Sequence, residues 1–224
     1  MTVLLVLGTF LVFIALDYLL NRRKAIATVL VEAPTPAAAE RCGADYVDGF
    51  LVPQSVSYHS GHSWLVRERQ NVVRMGADEF AAALVGKVEK IELPKPGQWI
   101  RQGQKVVSFF RDGQKTEMVS ATEGEVMAVN GAVLENPTLL RQDPYGKGWL
   151  LSIHVPDEEN TTRNLIPRGL VGEWMREAVQ RLYARQPALA GAVAADGGRP
   201  ADDLMAALPG SNWKEVTGEF FLTS

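Results

Sequence analysis

The longest hydrophobic run of the chain is also its first. Met1 to Leu16 carries no charged side chain, and the run resumes after Asp17 with Tyr18, Leu19 and Leu20. About 20 helical residues rising ~1.5 Å each span ~30 Å, the thickness of a bilayer's hydrocarbon core. A soluble helix of this length would need a polar face, and the run has none. Asp17 stands close enough to its end to reach the headgroups, and Arg22, Arg23 and Lys24 follow at once. Residues 1–24 are therefore expected to form a transmembrane anchor with a basic flank. The positive-inside rule then directs the N-terminus outward and everything after Lys24 into the cytoplasm. This predicts a single-pass protein of the inner (cytoplasmic) membrane. A cleaved signal peptide would carry its positive charge ahead of the run.

Hydrophobic periodicity then lapses. Residues 25–57 read as a stalk, because Ala33-Pro34-Thr35-Pro36-Ala37-Ala38-Ala39 has the composition of a semi-rigid spacer. Phe50, Leu51 and Val52 are apolar enough to fold back on a domain, but no pattern fixes where. From 58 to 156 short β-type runs recur, at 63–69, 71–75, 86–92, 105–110, 118–121 and 124–129. Pro94, Pro96, Gly97, Gly103 and Gly124 punctuate them. Many short strands with regular turns predict a mainly β barrel or sandwich, not alternating βαβ units. Asp112-Gly113 between two such runs is a two-residue hairpin signal, because both residues tolerate positive φ. One helical insert is expected over 78–84, where Asp78 and Glu79 precede Phe80-Ala81-Ala82-Ala83-Leu84.

After Pro156 the period changes again, and residues 157–224 are expected to form a helical C-terminal extension. Leu170, Val171, Trp174, Met175, Ala178, Val179 and Leu182 share one helical face between Pro167 and Pro187. That face packs on the β domain in one reading and meets a membrane surface or partner in another. A short helix is expected near 202–207, and Phe220-Phe221-Leu222 is expected to pin the end.

Composition narrows the function classes. The 23 basic and 26 acidic residues leave a net charge of -3 with no long basic stripe, so nucleic acid is not an expected partner. Cys42 is the single cysteine, with no disulfide or CxxC partner. His59 and His62 form an H-x-x-H pair whose spacing on a strand or turn does not put both on one face. His154 stands alone, so no metal set is expected. There is no nucleophile elbow, Walker loop or dinucleotide fingerprint, and the chain is not expected to be an enzyme.

Several ordered segments carry a more specific signal. His62-Ser63-Trp64 is followed by Gly76-Ala77-Asp78-Glu79-Phe80-Ala81 and Leu84-Val85-Gly86. Then come Leu93-Pro94-Lys95-Pro96-Gly97, Gly103, Gly124-Glu125-Val126 with Val129-Asn130, and Leu134-Glu135-Asn136-Pro137. Asp143-Pro144-Tyr145-Gly146-Lys147-Gly148-Trp149-Leu150 completes the series. In this order they resemble the H protein of the glycine cleavage system over residues 58–156. The resemblance implies a barrel-sandwich hybrid, two small sheets face to face with a hairpin that displays a lipoyl-lysine. It also implies a carrier whose arm receives an aminomethyl group from a decarboxylase. The arm then visits an aminomethyltransferase and a dihydrolipoyl dehydrogenase, a flexible tether raising the cargo's effective concentration at each.

The resemblance fails at one position. Laid on the family pattern without a gap between Gly103 and Gly124, the chain places Gly113 where the lipoyl-lysine belongs and Phe110 where a glutamate precedes it. Glycine offers no amine to acylate. Lys115, two residues on, is the one candidate for lipoate, about 6.6 Å along a strand and on the same face. No cofactor is expected unless Lys115 is used. Three readings stay open. The favoured one is a non-catalytic, membrane-anchored subunit that binds or scaffolds other proteins, with the bilayer as one partner and a membrane-associated redox complex as another. A second is a lipoyl carrier using Lys115. The third is a structural adaptor domain of a membrane complex, as in exporters.

Overall fold

The structure is a computed structural model and describes residues 44–157, 163–185, 203–205 and 212–223. The expected anchor at 1–24, the stalk as far as residue 43 and most of the expected helix at 202–207 lie outside them. Among the described residues no helix is long and apolar enough to cross a membrane.

Residues 44–57 fall in the segment expected to be a stalk, yet β1 (Ala44–Val47) and β2 (Phe50–Pro53) pair as an antiparallel hairpin. Asp48 and Gly49 turn it with positive φ. Phe50 and Val52 are buried in the core, the Phe50 ring set edge-on to Phe80 at 5.3 Å. The packed β unit therefore starts before residue 58.

β3 (Ser57–Tyr58), where no run is expected, pairs with β4 (Ser63–Arg69), and β4 and β5 (Val72–Ala77) realise the runs expected at 63–69 and 71–75. α1 (Glu79–Val85) is capped by Asp78, whose carboxylate accepts the Ala81 N–H at 2.7 Å. Gly86 ends it at φ +66, so the run expected to be extended from 86 is strand only in β6 (Lys90–Glu92). β7 (Trp99–Ile100), β8 (Lys105–Arg111), β9 (Gln114–Val119) and β10 (Gly124–Val129) come next. Of the run expected at 118–121 only Met118 and Val119 are strand, the end of a longer β9 that begins directly after the turn. Two short helices, α2 (Gly131–Glu135) and α3 (Leu139–Gln142), lead to β11 (Leu151–His154).

One sheet has the order β3-β4-β5-β11-β10-β7 and the other β6-β8-β9. Every pairing is antiparallel. Buried alternating residues from both sheets (Leu65, Met75, Ile153, Val126, Ile91, Phe109, Met118) form one core. α4 (Val171–Arg185) buries Val171, Met175, Ala178, Val179 and Leu182 against it, as the 3.6-residue period requires. Leu170, expected on the same face, precedes α4 in a 3-10 turn and is exposed. α5 (Trp213–Phe220) buries Trp213, Val216, Thr217 and Phe220. Phe221 is buried beyond its end, while Leu222 is exposed.

Candidate carrier hairpin

The hairpin of β8 and β9 is where the chemistry of a carrier would sit. Its last strand pair is Arg111↔Gln114, leaving Asp112 and Gly113 as a two-residue turn. Their φ values of 49° and 70° lie in the left-handed region, and a two-residue turn of this kind matches the right-handed twist of the flanking strands. A Cβ built on Gly113 would meet nothing within 4 Å, so the apex is open to solvent. The position that the gap-free register assigns to an acylated lysine is therefore at the apex and bears only hydrogen.

Lys115 lies inside β9, paired across from Phe110. Its ammonium donates to Glu117 Oε1 at 2.8 Å and stands 6.0 Å from the Phe110 ring centroid. Lys90 reaches the same ring at 5.4 Å from β6 and donates to Glu92 at 2.7 Å. The outer face of the small sheet thus carries a Lys90–Phe110–Lys115 row above a Glu92–Ser108–Glu117 row. The hydrogen bond from Lys115, aided by its charge and that of Lys105, holds the Glu117 carboxyl below its usual range. The Lys115–Glu117 pairing was legible in principle, since residues i and i+2 share a strand face.

The strand end next to the turn is held by a contact that sequence reasoning missed. The Arg111 guanidinium donates to the Val85 carbonyl at 3.3 Å and to Asp203 at 2.9 Å. The hydrogen bond to Asp203 raises the arginine's pKa further against the opposing effect of burial, helped by the charge of Asp203 and by Asp112. A Cβ on Gly86 would lie 2.5 Å from both Arg111 Nη1 and Asp203 Oδ1. Ninety-two residues separate Arg111 from Asp203, and no local signal connects them.

The histidines fall in two environments. His62 is fully buried, stacked on Phe80 at 4.5 Å and on Trp174 at 4.6 Å. Its Nδ1 donates to Asp78 Oδ2 at 2.9 Å, so a carboxylate does stand beside it, brought there by β4–β5 pairing. His59 Nδ1 accepts the Gly61 N–H at 3.1 Å, and burial with His62 nearby lowers its pKa. His154 is half-buried on β11, far along the sheet from both. Among the described residues no group of three His, Cys, Asp or Glu side chains could hold a metal. Beside Asp78, burial raises the pKa of Tyr58 and Tyr145 and keeps both phenols protonated. Tyr145 donates to the Leu51 carbonyl at 2.8 Å and accepts the Glu79 N–H at 3.3 Å.

The remaining motif residues brace this framework. The Trp64 indole N–H is shared between the carbonyls of Ala77 (2.9 Å) and Pro144 (3.1 Å). Asp143 accepts the N–H groups of Gly146 (3.0 Å) and Lys147 (2.8 Å). Asn130 donates to the carbonyls of Lys147 (2.8 Å) and Trp149 (2.7 Å) while its oxygen caps α2.

Residues 56–177, just over half of the chain, match the Glycine cleavage H-protein family. A glycine cleavage system H protein from Mycobacterium leprae is 33% identical over 106 residues, covering 47% of this chain and 80% of that protein. One from Bifidobacterium longum is 31% identical over 108 residues, covering 48% and 78%. A crystal structure of a glycine cleavage system H protein from Mycobacterium marinum aligns with a TM-score of 0.43 at 24% identity, over 47% of this chain and 87% of that one. The family match begins just after β2, ends within α4 and contains the whole β8–β9 hairpin. The chain belongs to the glycine cleavage H-protein family.

Proposed function

We propose that this chain is a non-catalytic, membrane-anchored subunit that uses an unlipoylated H-protein-like domain to bind or scaffold other proteins. The observation that carries this reading is the hairpin apex, where Asp112 and Gly113 present no amine. A lipoyl arm works by sweeping from an exposed turn. Lys115 lies within a paired strand, and its ammonium is already engaged by Glu117. Attachment there would break that ion pair and start the arm from the sheet face.

The anchor rests on the apolar run that ends before Arg22, which would confine the domain to two dimensions at the cytoplasmic side of the inner membrane. The partners proposed are the bilayer and other protein subunits, among them a membrane-associated redox complex. No lipoate is required for this role, and the family's carrier chemistry enters no step.

The test is intact-mass analysis of the full chain purified from a lipoate-competent host. The expected mass is that of the bare polypeptide. A lipoyl adduct that maps to Lys115 and disappears in Lys115→Ala would replace this reading with the carrier one. A reporter fused after Ser224 tests topology separately. Cytoplasmic signal is expected, and signal from the far side would favour the exporter-adaptor alternative.

A further inference from the structure

Trp99 stands on β7, the edge strand of the large sheet, and is 48% exposed. Unlike Trp149 and Trp174, it does not pack against the core. Across the strand pair it faces Glu125 of β10. The alternation that buries Ile100 and Val126 turns Trp99 and Glu125 to the outer face together. Glu123, just ahead of β10, joins Trp99 in lining a cleft of about 490 Å³. That volume lies within the ~300–1,000 Å³ usual for ligand sites.

The frame of the cleft is fixed. A Cβ on Gly124, between the two glutamates, would lie 2.2 Å from the His154 carbonyl oxygen, so β10 runs tight against β11 there. Gln102 donates to the Ala121 carbonyl at 3.1 Å and accepts from Asn164 at 2.6 Å, tying the turn after β7 to the other wall. Asp157 and Arg163 complete the lining, each with an interaction of its own. Glu123 and Glu125 form no ion pair among the described residues, and His154, opposite Glu125 on β11, does not reach it in one. Three carboxylates thus stand against one guanidinium around an open indole face.

This arrangement selects for an extended organic cation. Among the described residues no three acidic or histidine side chains converge closely enough to hold a metal ion. A guanidinium is planar and weakly hydrated, so it can stack on an indole while its N–H edge donates to carboxylates at the rim. A lysine ammonium is a compact, strongly hydrated point charge and gains less from such a site.

We propose that this cleft binds an arginine side chain of a protein partner, the guanidinium over Trp99 and its N–H edge toward Glu123 and Glu125. The inference rests on the protein-binding reading above and gives it a contact of stated chemistry. The two fail separately, because the mass of the chain reads the hairpin and a titration reads the cleft.

The full chain, with isotope-labelled tryptophans, is titrated with N-acetyl-arginine methylamide, and the uncharged citrulline counterpart is the control. Loss of one indole N–H resonance in Trp99→Phe assigns that of Trp99. The expected result is a saturable shift of this resonance at millimolar probe, while those of buried Trp64 and Trp213 stay in place. The citrulline probe should bind about fivefold more weakly or worse, and so should arginine to a Glu123→Gln, Glu125→Gln double variant. Unmoved Trp64 and Trp213 resonances in that variant report an intact fold, and the citrulline comparison needs no variant at all. No shift, an equal response to citrulline, or undiminished arginine binding by the double variant would each overturn the inference. A blocked lysine that binds as well as arginine would overturn the assignment to a guanidinium.

Discussion

Gly76 and Trp64 face each other across the β4–β5 pair, and the contact leaves no room for a side chain. A Cβ on Gly76 would sit 2.5 Å from indole Cζ2. The indole cannot retreat without losing the N–H it shares between Ala77 and Pro144. Gly76→Ala is therefore expected to cost about 1–3 kcal/mol, the usual range for overpacking a filled core. Urea titration checks this, as a lower midpoint at unchanged slope. An unaltered midpoint would mean that the ring moves freely. His59 makes the matching prediction for pH. Burial first, and His62 second, set its folded pKa below the ordinary ~6.5 of an unfolded histidine. The bond from the Gly61 N–H also needs Nδ1 unprotonated. Its contribution to stability is thus complete above the unfolded value and is lost as pH falls toward and through the folded one. Acidification from neutral pH should destabilise the chain, and His59→Gln should flatten that slope. Parallel slopes for the two proteins would remove His59 from the explanation.

The β8–β9 hairpin shows how much an element can disclose from sequence. Asp112-Gly113 encodes a two-residue turn, the turn fixes the register, and the register decides which side chain stands at the apex. If position and exposure are what an acylating enzyme reads, Gly113→Lys should gain a lipoyl adduct in a lipoate-competent host. The left-handed φ of 70° at that site should cost it about 1 kcal/mol. Mass analysis of that variant beside the parent decides it; no adduct would show that Phe110, in place of the family's glutamate, also matters. β4 and β10 were legible as short β-type runs bounded by turn residues. Others were not. α5 has eight residues, with Thr217 and Gly218 in its interior, and owes its helicity to burial instead of propensity. β1 and β2 lack a long alternating run, and Phe50 and Val52 reveal their place only once Phe80 is there to meet them. The Arg111–Asp203 contact is a product of tertiary folding that no window of sequence contains.

At the scale of the whole molecule, the family-matching region is clasped from both chain directions, and both clasps converge on α1. From the C-terminal side Leu204 donates its N–H to the Ala83 carbonyl at 3.1 Å, and Trp213 donates to Val85. From the N-terminal side Leu51 uses both backbone groups. Its N–H donates to the Glu79 carboxylate and its carbonyl accepts from Tyr145. Tyr145 belongs to the Asp143–Leu150 block, so a motif residue of the family holds a strand that lies outside the family match. Its phenol also accepts the Glu79 N–H, at the start of α1, where helical N–H groups lack partners. Tyr145→Phe removes both bonds without changing the ring's shape. It leaves the Leu51 carbonyl and the Glu79 N–H without that partner, which is expected to cost about 1–3 kcal/mol. Because the ring remains to pack against Tyr58 and Trp64, the loss should fall on the β1–β2 hairpin and spare the two sheets. Amide exchange resolves the difference: protection should drop across residues 44–53 and persist in β4, β5 and β11. A uniform loss of protection would instead make the N-terminal hairpin an integral part of one cooperative core.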